Sequence, residues 1–137
     1  MRLYSKIWLL ILSVTLINFS CKKQTNTTTD ITSLKGKVTL SVKVLHHQYP
    51  LANQKVYLKL AATSFPGNTT TVYNYNATTN ANGEATFSQL PMGNIWLYSN
   101  GYDPSVGRDV AGNTGYIISS SSIDAGYNAS VELFVTE

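Results

Sequence analysis

The 137-residue chain is predicted to form an all-β domain built as a sandwich of two sheets. Three observations predict this class: apolar residues alternate with polar ones from Lys37 onward, turn-forming residues separate the alternating segments, and no stretch after residue 34 has the apolar spacing of a sizeable helix. Alternation with a period of two buries one face of a strand. Short strands with turn signals at this spacing are typical of a sandwich or barrel.

Five alternating segments predict strands with one buried face. A loop containing Pro50 separates the first two, and residues 69–79 predict an exposed or edge strand, since they are rich in Thr, Val and Tyr but alternate weakly. The predicted inward residues are Val38, Leu40, Val42 and Val44, then Val56, Leu58 and Leu60, then Ala85 and Phe87, then Ile95 and Leu97, and finally Val131, Leu133 and Val135.

Two turns are predicted at residues 80–83 and 90–93, where Gly83 and Gly93 provide the backbone freedom that a tight turn needs. Residues 101–126 are the least regular part of the sequence. One or two short strands near Tyr116 are expected there, joined by long loops.

Residues 1–20 are predicted to be a signal peptide with a helical apolar segment. Arg2 and Lys6 supply its positive start, and the apolar run from Ile7 to Ile17 follows them. This run is shorter than the ~20 residues that a membrane-spanning helix needs, which favours a cleaved signal.

Cys21 is the only cysteine, and it directly follows the apolar run. The junction Leu16-Ile17-Asn18-Phe19-Ser20-Cys21 resembles the lipobox of bacterial lipoproteins, and with the lysines that follow it is similar to lipoproteins of the Bacteroidetes. This resemblance implies lipidation of Cys21. The alternative is a signal cleaved elsewhere, which leaves Cys21 as an incidental thiol.

Residues 21–33 are predicted to be a flexible tether, because they are polar, rich in threonine and poor in large apolar side chains. The domain is expected to occupy residues 34–137. The lipid anchor is expected in the outer membrane. No acidic run follows Cys21, which favours a domain that faces the periplasm.

The formal net charge of +3 includes two positive side chains of the predicted signal, so the remaining chain is nearly neutral. Apart from Lys22-Lys23, basic residues are not clustered, and nucleic acid is therefore not expected as a partner.

The order of segments resembles the carboxypeptidase regulatory-like domain, a transthyretin-like fold, from about Gly36 to Pro104. The resemblance rests on Gly36-Lys37-Val38, on the stretch from Pro50 to Leu58, on Thr79 to Gly93, and on Gly101-Tyr102. It implies a Greek-key β-sandwich of about seven strands. It also implies a non-catalytic accessory, binding or structural module without a cofactor.

His46 and His47 are the only histidines, and adjacent strand residues face opposite ways, so no metal site is expected. Zinc-ligand spacings are absent from the sequence. Asp103, Asp109 and Asp124 are placed in loops, where aspartates usually cap turns rather than bind calcium.

Aromatic residues provide the candidate ligand-binding surface. If Ile95 and Leu97 face the core, Trp96 and Tyr98 lie on the opposite face of the strand, and Tyr73 and Tyr75 are expected beside them. Such a strip stacks sugars or anchors a protein partner; ordinary packing of the sheet is the alternative.

Three functional hypotheses follow. The first is a non-enzymatic, lipid-anchored envelope module with a binding or structural role, its partner being an envelope protein. The second is a glycan-binding accessory lipoprotein that uses the aromatic strip. The third is an unrecognised hydrolase that depends on His46 or His47.

Overall fold

The computed structural model describes residues 36–137, which form two packed β-sheets. The predicted signal peptide, the lipidation site at Cys21 and the predicted tether lie outside these residues. A single 3-10 turn, Thr70–Val72, interrupts the strands in the described part of the chain. The strands are β1 (Val38–His46), β2 (Tyr49–Pro50), β3 (Lys55–Leu60), β4 (Tyr75–Thr78), β5 (Glu84–Leu90), β6 (Gly93–Asp103), β7 (Arg108–Ile118) and β8 (Asn128–Phe134).

In the first sheet, β1 hydrogen-bonds to three other strands. It pairs antiparallel with β2 and β5, and parallel with β8. The second sheet has the order β4-β3-β6-β7, and all its neighbours are antiparallel. The prediction of an all-β sandwich is confirmed, with seven longer strands and the two-residue β2.

The core lies between the two sheets and is filled by the residues that alternation assigned to it. Val38, Leu40, Val42 and Val44 of β1 are fully buried. They belong to one apolar cluster with the inward residues of β3, β5, β6, β7 and β8. Burial of this apolar surface is the main force that holds the two sheets together.

Two segments differ from their predictions. The edge strand expected across residues 69–79 is confined to β4, Tyr75–Thr78, and a 3-10 turn precedes it. The region expected to hold short strands and long loops contains β7, an eleven-residue strand that pairs along its whole length with β6. Its alternation was concealed because the inward positions between Val110 and Tyr116 are occupied by Gly112 and Thr114 rather than by apolar residues.

A two-residue hairpin joins β1 to β2. Its central residues, His47 and Gln48, both have positive φ, of 48° and 72°. This is the backbone pattern of a type I′ turn, which usually contains Asn or Gly at these positions. The turn reverses the chain directly after His46, so the alternating directions of the strand do not extend to His47.

The chain closes one side of the sandwich after β8. Val135 donates its amide hydrogen to the carbonyl oxygen of Leu45 at 2.9 Å, and Thr136 forms an antiparallel bridge with Ala111 of β7. These bonds bring the last described residues beside the end of β1.

Within residues 36–137, no helix is long and apolar enough to cross a membrane.

The turn before β5 depends on Gly83, whose φ is 75°. A Cβ atom there would lie 2.8 Å from Cβ of Pro50 and 3.0 Å from the carbonyl oxygen of Val44, so an added methyl group meets the hairpin. Gly67 also has positive φ, of 97°, but a Cβ atom there would have no neighbour within 4 Å.

Gly83→Ala is therefore expected to lower the free energy of unfolding by about 2 kcal/mol more than Gly67→Ala, because overpacking adds to a backbone strain that both variants share. Denaturant unfolding of the two variants measures this difference. Equal losses would contradict the close packing of the turn against the hairpin.

Candidate functional site

One end of the sandwich contains a buried polar link between the sheets. His46 is the last residue of β1, and Asp103 is the last residue of β6. Nδ1 of His46 and Oδ2 of Asp103 lie 2.8 Å apart, and both side chains are almost fully buried. Since the two strands belong to different sheets, this hydrogen bond crosses the sandwich.

Asp103 also binds the turn that follows β6. The hydroxyl and the backbone amide of Ser105 both donate to Oδ1, at 2.7 and 2.8 Å. The Ser105 hydroxyl bond is the largest influence on the pKa of the Asp103 carboxyl, and with the bond from His46 it holds that pKa below its usual value although burial opposes the shift. The carboxylate is therefore ionised at neutral pH and acts only as an acceptor.

This arrangement does not activate a nucleophile. In a serine hydrolase the serine hydroxyl donates to a histidine, which in turn donates to a carboxylate. Here the Ser105 hydroxyl donates to Asp103 instead. This hydrogen bond stabilises the ionised carboxylate, and His46 is not placed by it to remove the proton of the Ser105 hydroxyl.

A groove lies next to this link, and the sequence did not indicate it. Its volume is about 770 Å³, and its lining runs from Tyr49 to Asn53 and from Tyr102 to Ser105. Tyr49 and Tyr102 are 73% and 57% exposed. The buried side-chain amide of Gln54 donates to the carbonyl oxygen of Ala52 in one wall at 3.3 Å and to that of Tyr102 in the other at 2.9 Å. These two bonds join the walls.

His47 lies close to His46, contrary to the expectation that the two residues face opposite ways. Their ring centroids are 4.2 Å apart. The reason is the hairpin turn, which redirects the backbone at His47. The side chain of Glu137 reaches the same place, and ligand-type atoms of the three residues all lie within 4.8 Å of one another.

The three aspartates assigned to loops have separate positions. Asp103 and Asp109 are strand residues, of β6 and β7, which corrects the loop assignment. Asp124 accepts hydrogen bonds from the amides of Gly126 and Asn128, and the bonds from Asn128 do most to lower its pKa. Asp124 therefore caps a turn before β8, as aspartates in turns usually do.

The outer face of the second sheet carries an aromatic cluster. Tyr98 lies at its centre, with ring centroids 6.0, 5.9 and 5.8 Å from those of Tyr57, Tyr73 and Phe65. Its neighbours leave Tyr98 only 5% exposed. Burial raises the pKa of Tyr98 and of Tyr73 above the usual value, so both remain neutral phenols.

Trp96 lies on the same outer face, opposite Gly115 of β7. A Cβ atom at Gly115 would lie 2.9 Å from Cζ3 of Trp96, so the indole covers a strand position that has no side chain. Nε1 of Trp96 donates to Oδ1 of Asn113 at 3.1 Å, which fixes the direction of the ring. The ring borders a surface groove of about 280 Å³ that also includes Asn94 and Thr63.

Tyr75 is separate from this cluster. It pairs with Leu58, whose side chain faces the core, so Tyr75 shares the inward face of the sheet and is 42% exposed at its edge. Of the four residues proposed as a ligand-binding strip, the structure brings Tyr73 and Tyr98 into contact and places Trp96 on the same face. Their role in binding a ligand stays a prediction.

The sequence contained partial signals for the polar site that was missed. His46 and His47 are adjacent at a predicted strand end. A turn at that point allows both rings to lie on the same side of the chain. Asp103 and Glu137 are far from them along the chain. Their approach depends on the pairing of β1 with β8 and on the packing of the two sheets, which no local pattern reports.

Comparisons with known proteins return similar folds at low identity. The major pilin BcpA of Bacillus cereus matches with a TM-score of 0.48 and 9% identity over 72% of this chain. A Pseudomonas aeruginosa protein described as a candidate carbohydrate-binding protein has a TM-score of 0.47 and 17% identity, and the match covers 74% of this chain and 90% of that one. The basal pilin SpaB of Lactobacillus rhamnosus GG has a TM-score of 0.43 and 13% identity, covering 75% of this chain and 98% of that one.

The match to BcpA covers 29% of the length of that protein. No family model and no curated protein matches it.

Proposed function

We propose that the chain is a non-enzymatic binding module of the bacterial cell envelope, held in the outer membrane by lipid on Cys21 and facing the periplasm. The lipobox-like junction and the apolar run before it support the anchor. The polar residues 22–33 then give the domain reach, on the order of 20 Å for a flexible chain of that length.

A binding role is favoured over catalysis by the chemistry of the buried polar residues. The Asp103 carboxylate is occupied by Ser105 and His46, and the serine hydroxyl points its proton at the carboxylate. The general-base arrangement that a serine nucleophile needs is therefore not formed by these three residues.

The ligand that we propose is a glycan, and Trp96 is the observation that carries this proposal. The indole covers Gly115 and donates to Asn113, two contacts that restrict its movement, and it borders a groove with polar groups. A rigid aromatic face beside hydrogen-bonding side chains suits a sugar ring, which has apolar faces and hydroxyl edges. Tyr73 and Tyr98 are less suited to stack on a sugar, because their rings already stack on each other.

The larger groove favours a second candidate function, the binding of an envelope protein. Tyr49 and Tyr102 flank it and are both highly exposed, as aromatic anchors of a protein interface are before binding. The two candidates use different surfaces, so substitutions separate them.

The lipid anchor predicts that Cys21→Ala abolishes incorporation of a labelled fatty acid and releases the protein from membranes, because two or more acyl chains provide the stable attachment. Metabolic labelling and membrane fractionation measure both effects. Ser20→Ala, which keeps a small residue before the cysteine, is the control and should be labelled normally. A wild-type protein without label would contradict the anchor.

The glycan proposal predicts saturable binding of an envelope or extracellular polysaccharide to the full-length protein in detergent. Trp96→Ala should weaken that binding by about tenfold or more, because the stacking contact contributes roughly 1.4 kcal/mol or more. A glycan array followed by calorimetry on the best ligand measures this loss.

Tyr75→Ala and Tyr102→Ala are matched aromatic controls that lie off the Trp96 groove, and both should keep wild-type glycan affinity. Loss of glycan binding in Tyr102→Ala, with retention in Trp96→Ala, would show that the glycan binds in the larger groove and not beside Trp96. Absence of binding across the array would contradict the glycan proposal and leave the protein-binding candidate.

A further inference from the structure

We propose that His46, His47 and Glu137 form a binding site for a divalent ion of the zinc type, with Asp103 as the residue that positions His46. The site is separate from the glycan surface, since Trp96 lies on the outer face of the second sheet, whereas His46 and Asp103 are buried between the two sheets.

The three proposed ligands converge although they are distant in sequence. One ligand-type atom from each residue lies within 4.8 Å of the other two. The rings of His46 and His47 are already side by side, with centroids 4.2 Å apart. Glu137 arrives through the bonds that fix residues 135 and 136 to Leu45 and Ala111.

The second observation is an unpartnered nitrogen. His46 is 3% exposed, and its Nε2 atom is buried without a hydrogen-bond partner among the described residues. Leaving a buried polar atom unpaired is unfavourable, because the atom loses its hydrogen bonds to water and gains none in the protein. A metal ion that accepts the lone pair of this nitrogen removes that penalty.

The hydrogen bond to Asp103 determines which nitrogen is free. An ionised carboxylate only accepts hydrogen bonds, so Nδ1 of His46 must carry the proton in their 2.8 Å contact. In the neutral ring Nε2 then has the lone pair that a metal requires. A carboxylate behind a ligating histidine is the usual second partner in zinc sites, where it fixes the tautomer and raises the basicity of the ring.

The donor set selects the class of ion. Two imidazole nitrogens and one carboxylate oxygen suit zinc and neighbouring transition metals, whereas calcium and magnesium prefer oxygen ligands alone. Three protein ligands leave a fourth tetrahedral position open. Zinc bonds of 2.0–2.1 Å would require ligand atoms about 3.3 Å apart. His47 and Glu137 are exposed, so their side chains can close the remaining distance.

The binding test uses the full chain in detergent, without a histidine tag and with any free thiol alkylated so that Cys21 supplies no ligand. Titration with Zn²⁺ should give saturable binding of one ion, and Co²⁺ should give the visible absorption of a low-symmetry, nitrogen-ligated site. His47→Asn and Glu137→Gln should each weaken Zn²⁺ binding by about tenfold or more. Asparagine is chosen at position 47 because it tolerates the positive φ there.

Glu132→Gln is the matched control, since Glu132 is an exposed carboxylate of β8 outside the cluster, and it should bind Zn²⁺ like the wild type. Asp103→Asn should weaken binding by about 10–100-fold and shift the Co²⁺ spectrum, which a purely structural role would not do in the folded variant. Wild-type protein without saturable Zn²⁺ binding would overturn the proposal. Unchanged binding in both His47→Asn and Glu137→Gln would overturn it as well.

Discussion

The hydrogen bond between His46 and Asp103 joins the two sheets at the end where the larger groove and the histidine pair lie. Unlike the apolar contacts of the core, it joins two buried polar atoms, Nδ1 of His46 and Oδ2 of Asp103, and each satisfies the other. Burial of apolar surface makes the sheets associate, but it is non-directional, so a small shift of one sheet against the other changes its free energy little. This bond fixes the relative position of β1 and β6, and through Ser105 it also fixes the turn that walls the groove.

The position of β1 explains why Asp103, His47 and Glu137 all lie close to His46. This strand pairs with β2, β5 and β8, and its end is the point where the hairpin, the C-terminal residues and β6 approach one another. A strand so fully paired and buried is rigid, which makes its last residue a suitable support for a site. The outer face of the second sheet is rigid for another reason: Tyr98 is enclosed by other rings, and Trp96 is held by Asn113.

Local patterns predicted the sandwich well and the sites poorly. Val38 to Val44 could be assigned to the core because strand alternation is a property of a few neighbouring residues. The length of β7 was missed because two of its inward positions are Gly112 and Thr114, which interrupt the apolar half of the alternation. His47 was assigned to the wrong direction because a turn of positive φ replaced the strand at that residue. Asp103 and Glu137 could not be linked to His46, since their proximity arises from pairings across the whole fold.

The state of the His46 ring tests the central claim, which is that Asp103 orients this histidine across the sandwich and leaves one nitrogen free. Long-range nitrogen–proton correlation NMR on labelled full-length protein without added metal, at a pH where the ring is neutral, identifies the protonated nitrogen. The account predicts the proton on Nδ1, with a slowly exchanging signal that disappears in Asp103→Ala. A ring protonated on Nε2 with Nδ1 as acceptor, or a ring that changes tautomer freely, would contradict it.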